Sequence, residues 1–177
     1  MEPSPARIAL KWGLLTALVK ILMTSIRYAM GEFFSLKFPF LTLVIVTVGL
    51  VLALRELRAQ NGGFMSFGEG ISLALLMFAI VGLLNTTYTM VYNTLVNPNA
   101  FSQEFAQMRE FFESYNLPDE QMEQMNEQFD AVADAQKQKG VSGSTFIGGI
   151  LGWIFIGFLL SLPVSGIMSR KKTDPFA

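Results

Sequence analysis

Four apolar stretches, at roughly residues 9–30, 38–54, 71–96 and 146–168, constrain this chain more than any other feature. A helix needs about 20 residues to cross the hydrocarbon core of a bilayer, so three stretches are long enough and the second stands at the lower limit. Hydrophobic residues make up 51% of the 177-residue chain, and its mean hydropathy is +0.43. The expected fold is an all-α membrane protein with four transmembrane helices. An acidic insert interrupts the series only once, between the third and fourth stretches. Three regions follow: 1–98 with the first three helices, 99–140 as the insert, and 141–177 with the fourth helix and a basic tail.

Composition removes several kinds of chemistry. The chain has no cysteine and no histidine, which excludes disulfides, Cys/His zinc sites and histidine-ligated haem, and takes away the commonest general base. No enzyme motif stands in their place, so no enzymatic activity, metal or cofactor is expected. Net charge is −1, unevenly spread: residues 98–140 carry nine acids and three bases, and the remainder five acids and ten bases. That separation into an acidic insert and basic membrane flanks argues against nucleic acid as a partner. The first stretch is too long for the apolar core of a cleavable signal and contains Lys11, Lys20 and Arg27, so it reads as a retained helix.

Basic residues near the helix ends predict an orientation. Arg7, Lys11, Arg55, Arg58, Arg170, Lys171 and Lys172 fall on one side, against Lys37, Lys137 and Lys139 on the other, with Arg109 deeper in the insert. The positive-inside bias places both termini in the cytoplasm and the insert outside. Trp12 is then expected near the inner interface, and Tyr28, Tyr88, Tyr92 and Trp153 near the outer one.

Between the second and third stretches, Asn61-Gly62 signals a turn. Ser66-x-x-Glu69 ahead of the next apolar run has the spacing of a capping box, which accounts for both residues; the sharper alternative makes Glu69 an ion or proton carrier. The run Asn61-Gly62-Gly63 with Ser66-Phe67-Gly68, the following helix ending at Asn97-Pro98, the acidic insert and the glycine-rich last helix resemble the bacterial four-helix membrane proteins of domain of unknown function 4199. The resemblance implies the fold and a membrane location. It implies no activity and no catalytic residue.

Polar groups inside the apolar stretches are the candidate site. On the first helix, Ala9, Gly13, Thr16, Ala17, Lys20, Thr24, Arg27 and Gly31 fall within about 60° of one line at 100° per residue. Small Gly13 and Ala17 mark a packing face, and Lys20 and Arg27 share it. The third helix carries a matching stripe of Gly82, Asn85, Thr86, Thr89 and Asn93, at depths level with Lys20 and Arg27. A lysine near the midplane costs roughly 3 kcal/mol on insertion scales and needs polar partners or water. Two readings stand: a polar cavity in which Lys20 and Arg27 receive an anionic ligand or headgroup, or interhelical hydrogen bonding with Arg27 reaching the outer interface.

The fourth stretch shows two small faces, Gly148 with Gly152 and, nearly opposite, Gly157, Ser161 and Ser165. Two such faces suit a helix packed between neighbours in its own bundle, the alternative being self-association through Gly148 and Gly152. Pro163 is expected to kink the inner end. The second stretch, interrupted only by Thr42, Thr47 and Gly49, is expected to be the most lipid-exposed.

In the insert, Phe101, Phe105, Met108, Phe112 and Tyr115 recur at four, three, four, three. After Asn116-Leu117-Pro118, Met122, Met125, Phe129 and Val132 recur at three, four, three. Both are helical seams, predicting an antiparallel amphipathic hairpin closed near Gly140. The seams either bury each other or grip an envelope partner through residues such as Phe101, Phe105, Met108, Phe112, Met122, Met125 and Phe129. The expectation is a non-enzymatic accessory protein or subunit in the bacterial inner membrane. The alternative is a small transporter or ligand-binding protein using Lys20, Arg27, Asn85 and Thr89.

Overall fold

The computed structural model describes residues 4–115, 118–139 and 143–170. The expected seam residue Val132, the turn at Asn116-Leu117, the closure at Gly140, the flanking Lys137 and Lys139 and the tail with Lys171 and Lys172 lie outside what it describes of side chains or backbone. The described residues form six α-helices: α1 (Pro5–Ala29), α2 (Lys37–Gln60), α3 (Phe67–Val91), α4 (Ala100–Glu113), α5 (Asp119–Lys139) and α6 (Gly143–Met168). No strand occurs among them; α3 continues into one π-helical segment, Tyr92–Val96. Helices suit apolar sequence of this kind because each satisfies its own backbone groups without water.

Helix ends follow local chemistry. Pro5 opens α1, where its missing N–H is no loss. Gly31 at φ 72, and Gly62 and Gly63 at φ 69 and 92, supply the left-handed turns that stop α1 and α2. At the start of α3, the Ser66 hydroxyl accepts from the Glu69 amide (3.2 Å) and the Glu69 carboxylate accepts from the Ser66 amide (2.7 Å). This is the capping box expected from the spacing.

Four helices are long and apolar enough to span a bilayer: α1, α2, α3 with its π segment, and α6. The second runs well past its apolar stretch, and in that extension Leu57 is buried in the core and Glu56 accepts from Lys11 Nζ and Trp12 Nε1 of α1, each at 2.7 Å. The chain crosses back and forth so that the start of α1, the connector 61–66 and the end of α6 share one end of the bundle. Met65 and Arg170 pair there through two backbone hydrogen bonds (3.1 and 2.8 Å). We call this the connector end and the opposite one, carrying α4 and α5, the hairpin end.

The third helix is central, packed most extensively on α6 and α1; α1 also packs on α2, while α2 touches α6 and α3 sparsely. Small residues allow the close approaches. A Cβ on Gly13 would lie 3.0 Å from Ile80 and 3.1 Å from the Met77 carbonyl, and one on Gly82 would lie 2.8 Å from Trp153 Cβ. A Cβ on Gly157 would overlap the Phe78 ring. Ala9, Gly13, Thr16 and Ala17 of α1 are buried, Gly13 against α3 and Thr16 against Gly49 of α2. The main core is Ile8, Ala9, Val46, Leu50, Ala53, Leu54, Leu57, Met65, Leu73, Ala74, Met77 and Phe78, and it fills the bundle from mid-span to the connector end.

Two expectations are corrected in α6. It buries only 11% of its spanning window against 28% for α2, so α6 and not α2 is the most exposed of the four. It lies outside α3 and presents one buried row, Gly157, Ser161 and Ser165. Gly148 and Gly152 are turned away from the bundle, with nothing within 4 Å of an added Cβ; Gly149, one position on, meets Thr86 instead. A one-residue offset is a 100° rotation on a helix, enough to move a glycine pair from the interface to the lipid side.

The helices α4 and α5 pack against each other as the paired seams lead one to expect. Phe129 meets Phe105 and Phe112 with ring centroids 5.5 and 6.2 Å apart, and Arg109 pairs with Asp130 at 2.9 Å.

Candidate functional site

Helix α1 brings its two deep cations to the hairpin half of the bundle, seven residues and about 10 Å of helix rise apart. Lys20 Nζ lies over the Trp153 ring, 5.0 Å from its centroid. Among the described residues the ion pairs are Lys11–Glu56 and Arg109–Asp130, so no carboxylate pairs with Lys20. Trp153 was expected at the outer interface but stands at the depth of Lys20 and Gly82, drawn inward by the close approach of α6 to α3 at Gly82.

Nearer the hairpin end, Arg27 Nη1 donates to the Phe33 carbonyl at 2.9 Å. Its guanidinium also lies 4.9 Å from the Tyr28 ring centroid and 5.8 Å from that of Phe38. Tyr28 stacks on Tyr92 (4.2 Å) and on Phe33 (5.4 Å), and the Tyr88 hydroxyl meets Ser25 Oγ at 2.6 Å. The π-helical segment begins at Tyr92, under this stack. Aromatic walls thus surround both cations, leaving their outward faces to the space between the helices.

That space is a cavity of about 410 Å³, lined by Lys20, Arg27, Thr42, Thr89, Glu104 and Trp153 together with Met23, Phe38, Leu43 and Ile156. A second cavity of about 260 Å³ shares Lys20, Thr89 and Trp153 with it and adds Asn85, Thr86, Asn93 and Thr145. Lys20, Arg27, Asn85, Thr86, Thr89 and Asn93 therefore all line one or both cavities. They do so with few hydrogen bonds between helices. Thr24 Oγ1 donates to the Lys20 carbonyl and Asn85 Nδ2 to the Val81 carbonyl, each within its own helix at 2.9 Å. Asn93 Oδ1 is buried and accepts from no donor among the described residues.

Glu104 is the site residue that sequence reasoning missed. It comes from the acidic insert, yet α4 lays it into the cavity beside Arg27. Burial pushes its carboxyl above the ordinary carboxylate range, and the Arg27 guanidinium opposes that rise. One turn on, Gln107 Oε1 accepts from the Phe33 and Phe34 amides at 2.7 and 2.8 Å, while Nε2 donates to the Gly31 carbonyl at 2.7 Å. Ala100 is buried and Phe111 meets Phe34 ring to ring at 5.4 Å. The row Ala100, Glu104, Gln107, Phe111 at four, three, four is a second face of α4, directed at the bundle, whereas Phe101, Phe105, Met108 and Phe112 mark the face toward α5. Its spacing was the available signal, masked by the stronger aromatic seam beside it.

The arrangement gathers two cations, a carboxylate and threonine hydroxyls about one space. No three His, Cys, Asp or Glu side chains gather about one point among the described residues. Four spanning helices, tightly packed at one end and enclosing a polar cavity at the other, make this a multi-pass helical membrane protein.

The chain belongs to the family described as protein of unknown function (DUF4199), whose match covers residues 11–170 and so takes in most of α1, all of α2 to α5 and all of α6. No curated protein and no solved structure matches it.

Proposed function

We propose that this is a ligand-binding membrane protein, not an enzyme, whose hairpin-end cavity receives an anionic group between Lys20 and Arg27. One observation carries the reading: both cations line the same 410 Å³ cavity, and Lys20 has no carboxylate partner among the described residues. A cation kept at that depth without a counter-ion is costly, and a bound anion would offset the cost.

The same reading orients the chain in a bacterial inner membrane. Arg7, Lys11, Arg55, Arg58 and Arg170 stand at the connector end, which favours the cytoplasm for that end and for both termini. The hairpin and the mouth of the cavity then face outward. A role as accessory subunit gripping an envelope partner draws less support, because Phe105, Phe112 and Phe129 turn their rings on one another.

Native mass spectrometry after gentle extraction tests the proposal. The expected result is a retained small anionic molecule, lost from the Lys20→Met/Arg27→Met double variant. A stoichiometric second polypeptide with no retained small molecule would replace the binding reading with the accessory one.

A further inference from the structure

Two features narrow what such a cavity would accept. The first is its wall. Leu43 of α2 and Ile156 of α6 both line it and are 45% and 39% exposed. These two helices touch only sparsely, so at this depth the cavity borders the bilayer between them. A ligand held on Lys20 and Arg27 would leave its remaining bulk against Met23, Phe38, Leu43 and Ile156, and then in lipid. That suits an acidic head on an apolar body and not a small hydrated ion, which would lose its water for an apolar wall.

The second is charge. Lys20 and Arg27 contribute two positive charges and Glu104 one negative charge to the same space. The adjoining cavity adds the amides of Asn85 and Asn93 and the hydroxyls of Thr86 and Thr89, which bring hydrogen bonds without altering the count. A head with a single negative charge closes the count at zero, whereas a dianion leaves one charge unmatched between the helices.

We propose that the cavity selects a singly charged anionic amphiphile entering between α2 and α6, and that Glu104 is the residue that sets the preference for one charge over two. The inference rests on the anion-binding reading above. Glu104 is held in place by α4, whose Gln107 is fixed to Gly31, Phe33 and Phe34 by its hydrogen bonds, so its carboxylate is a permanent part of the lining. The shared chemistry is one negative charge on an apolar body, whether borne by a bilayer phosphodiester lipid or by a free amphiphile.

Trp153 reports on the site directly. It lies against Lys20, and the chain's other tryptophan, Trp12, lies at the far end bonded to Glu56. In phosphatidylcholine nanodiscs at pH 7, where a phosphate monoester is already mainly a dianion, the fluorescence of the Trp12→Phe variant is titrated with decyl sulfate, decyl phosphate and inorganic sulfate. Should that variant not fold, the unmodified protein gives the same signal over a constant Trp12 background. Decyl sulfate is expected to bind about tenfold more tightly than the doubly charged decyl phosphate, and Glu104→Gln to remove that gap while Glu104→Asp keeps it. A gap unchanged in Glu104→Gln would overturn the role of Glu104 and leave anion binding standing. Inorganic sulfate acting at the same concentration as decyl sulfate would overturn the amphiphile. No response to any of the three, in either phosphatidylcholine or phosphatidylglycerol discs, would overturn anion binding itself. In phosphatidylglycerol discs, a response already saturated before any addition identifies the bilayer lipid as the occupant, whereas an undiminished titration identifies a free amphiphile.

Discussion

The two halves of this bundle are built from the same four helices yet solve opposite problems. From mid-span to the connector end, Leu50, Leu54, Leu57, Leu73, Met77 and Phe78 are sealed from the surface and glycines are placed where rings and methyls need room. Toward the hairpin end, the buried residues are fewer, among them Ala17, Phe33, Val81, Asn85 and Ala100, and the space between helices holds two cations, a carboxylate and a row of amides and hydroxyls. In lipid, where helices gain little from apolar burial against one another, close packing carries stability. The connector half therefore holds the fold, and the hairpin half is free to be hollow. The candidate site accordingly falls in the half whose looser packing the other half can tolerate.

The comparison breaks most sharply on glycine. Gly157→Val should be the most damaging change, because its side chain would drive into the Phe78 ring in a part of α3 with no slack. We expect a loss of about 3 kcal/mol or failure to fold, within the upper range for overpacking. Gly152→Val, five residues earlier on the same helix, meets nothing within 4 Å and should leave the thermal unfolding midpoint in detergent unchanged. Equal losses at both positions would remove the distinction between the packed and open faces of α6.

The next effect has the opposite sign. Lys20→Met takes away a deep charge that lies over the Trp153 ring and pairs with no carboxylate among the described residues. The unliganded bundle should gain about 1–3 kcal/mol, since insertion scales assign a midplane lysine roughly that cost. Unfolding of the purified protein in phosphatidylcholine nanodiscs reads the change. A loss of stability would mean that Lys20 braces the hairpin half, and the structural reading of this residue would return.

Much of this was legible in the sequence for a plain reason: spanning helices are set by length and hydropathy, and caps and small-residue stripes are local. Ser66 and Glu69 stand three apart, and Ala9, Gly13 and Ala17 four apart, so their partners are implied by the spacing. The remainder depended on neighbours far along the chain. Glu56 of α2 binds Lys11 and Trp12 of α1, beyond the apolar run of its own helix. Glu104 enters the cavity beside Arg27 on a helix that Gln107 ties to the 31–34 turn. In α6, Gly148-x-x-x-Gly152 and the row through Gly157 look equivalent until α3 is in place; rotation about the helix axis decides between them, and composition does not encode it.

The smallest effect tests whether the halves are independent. Gln107 supplies the polar side-chain contacts between α4 and the 31–34 turn, where its amide serves the Gly31 carbonyl and the Phe33 and Phe34 amides. Gln107→Leu removes all three hydrogen bonds but should cost only about 1 kcal/mol, since water makes good the loss at the exposed Gly31 carbonyl and part of that at the half-buried Phe34 amide. Because none of the connector-half core residues touches this turn through a hydrogen bond, the loss should stay local. Hydrogen exchange resolved by mass spectrometry should accelerate about fivefold in peptides covering 31–36 and 100–111, with no change over 50–57 and 73–78. Faster exchange in the core as well would show that hairpin docking and core packing form one cooperative unit. The hollow half would then be part of what holds the fold, and a ligand seated there would stabilise the whole bundle instead of only its outer turn.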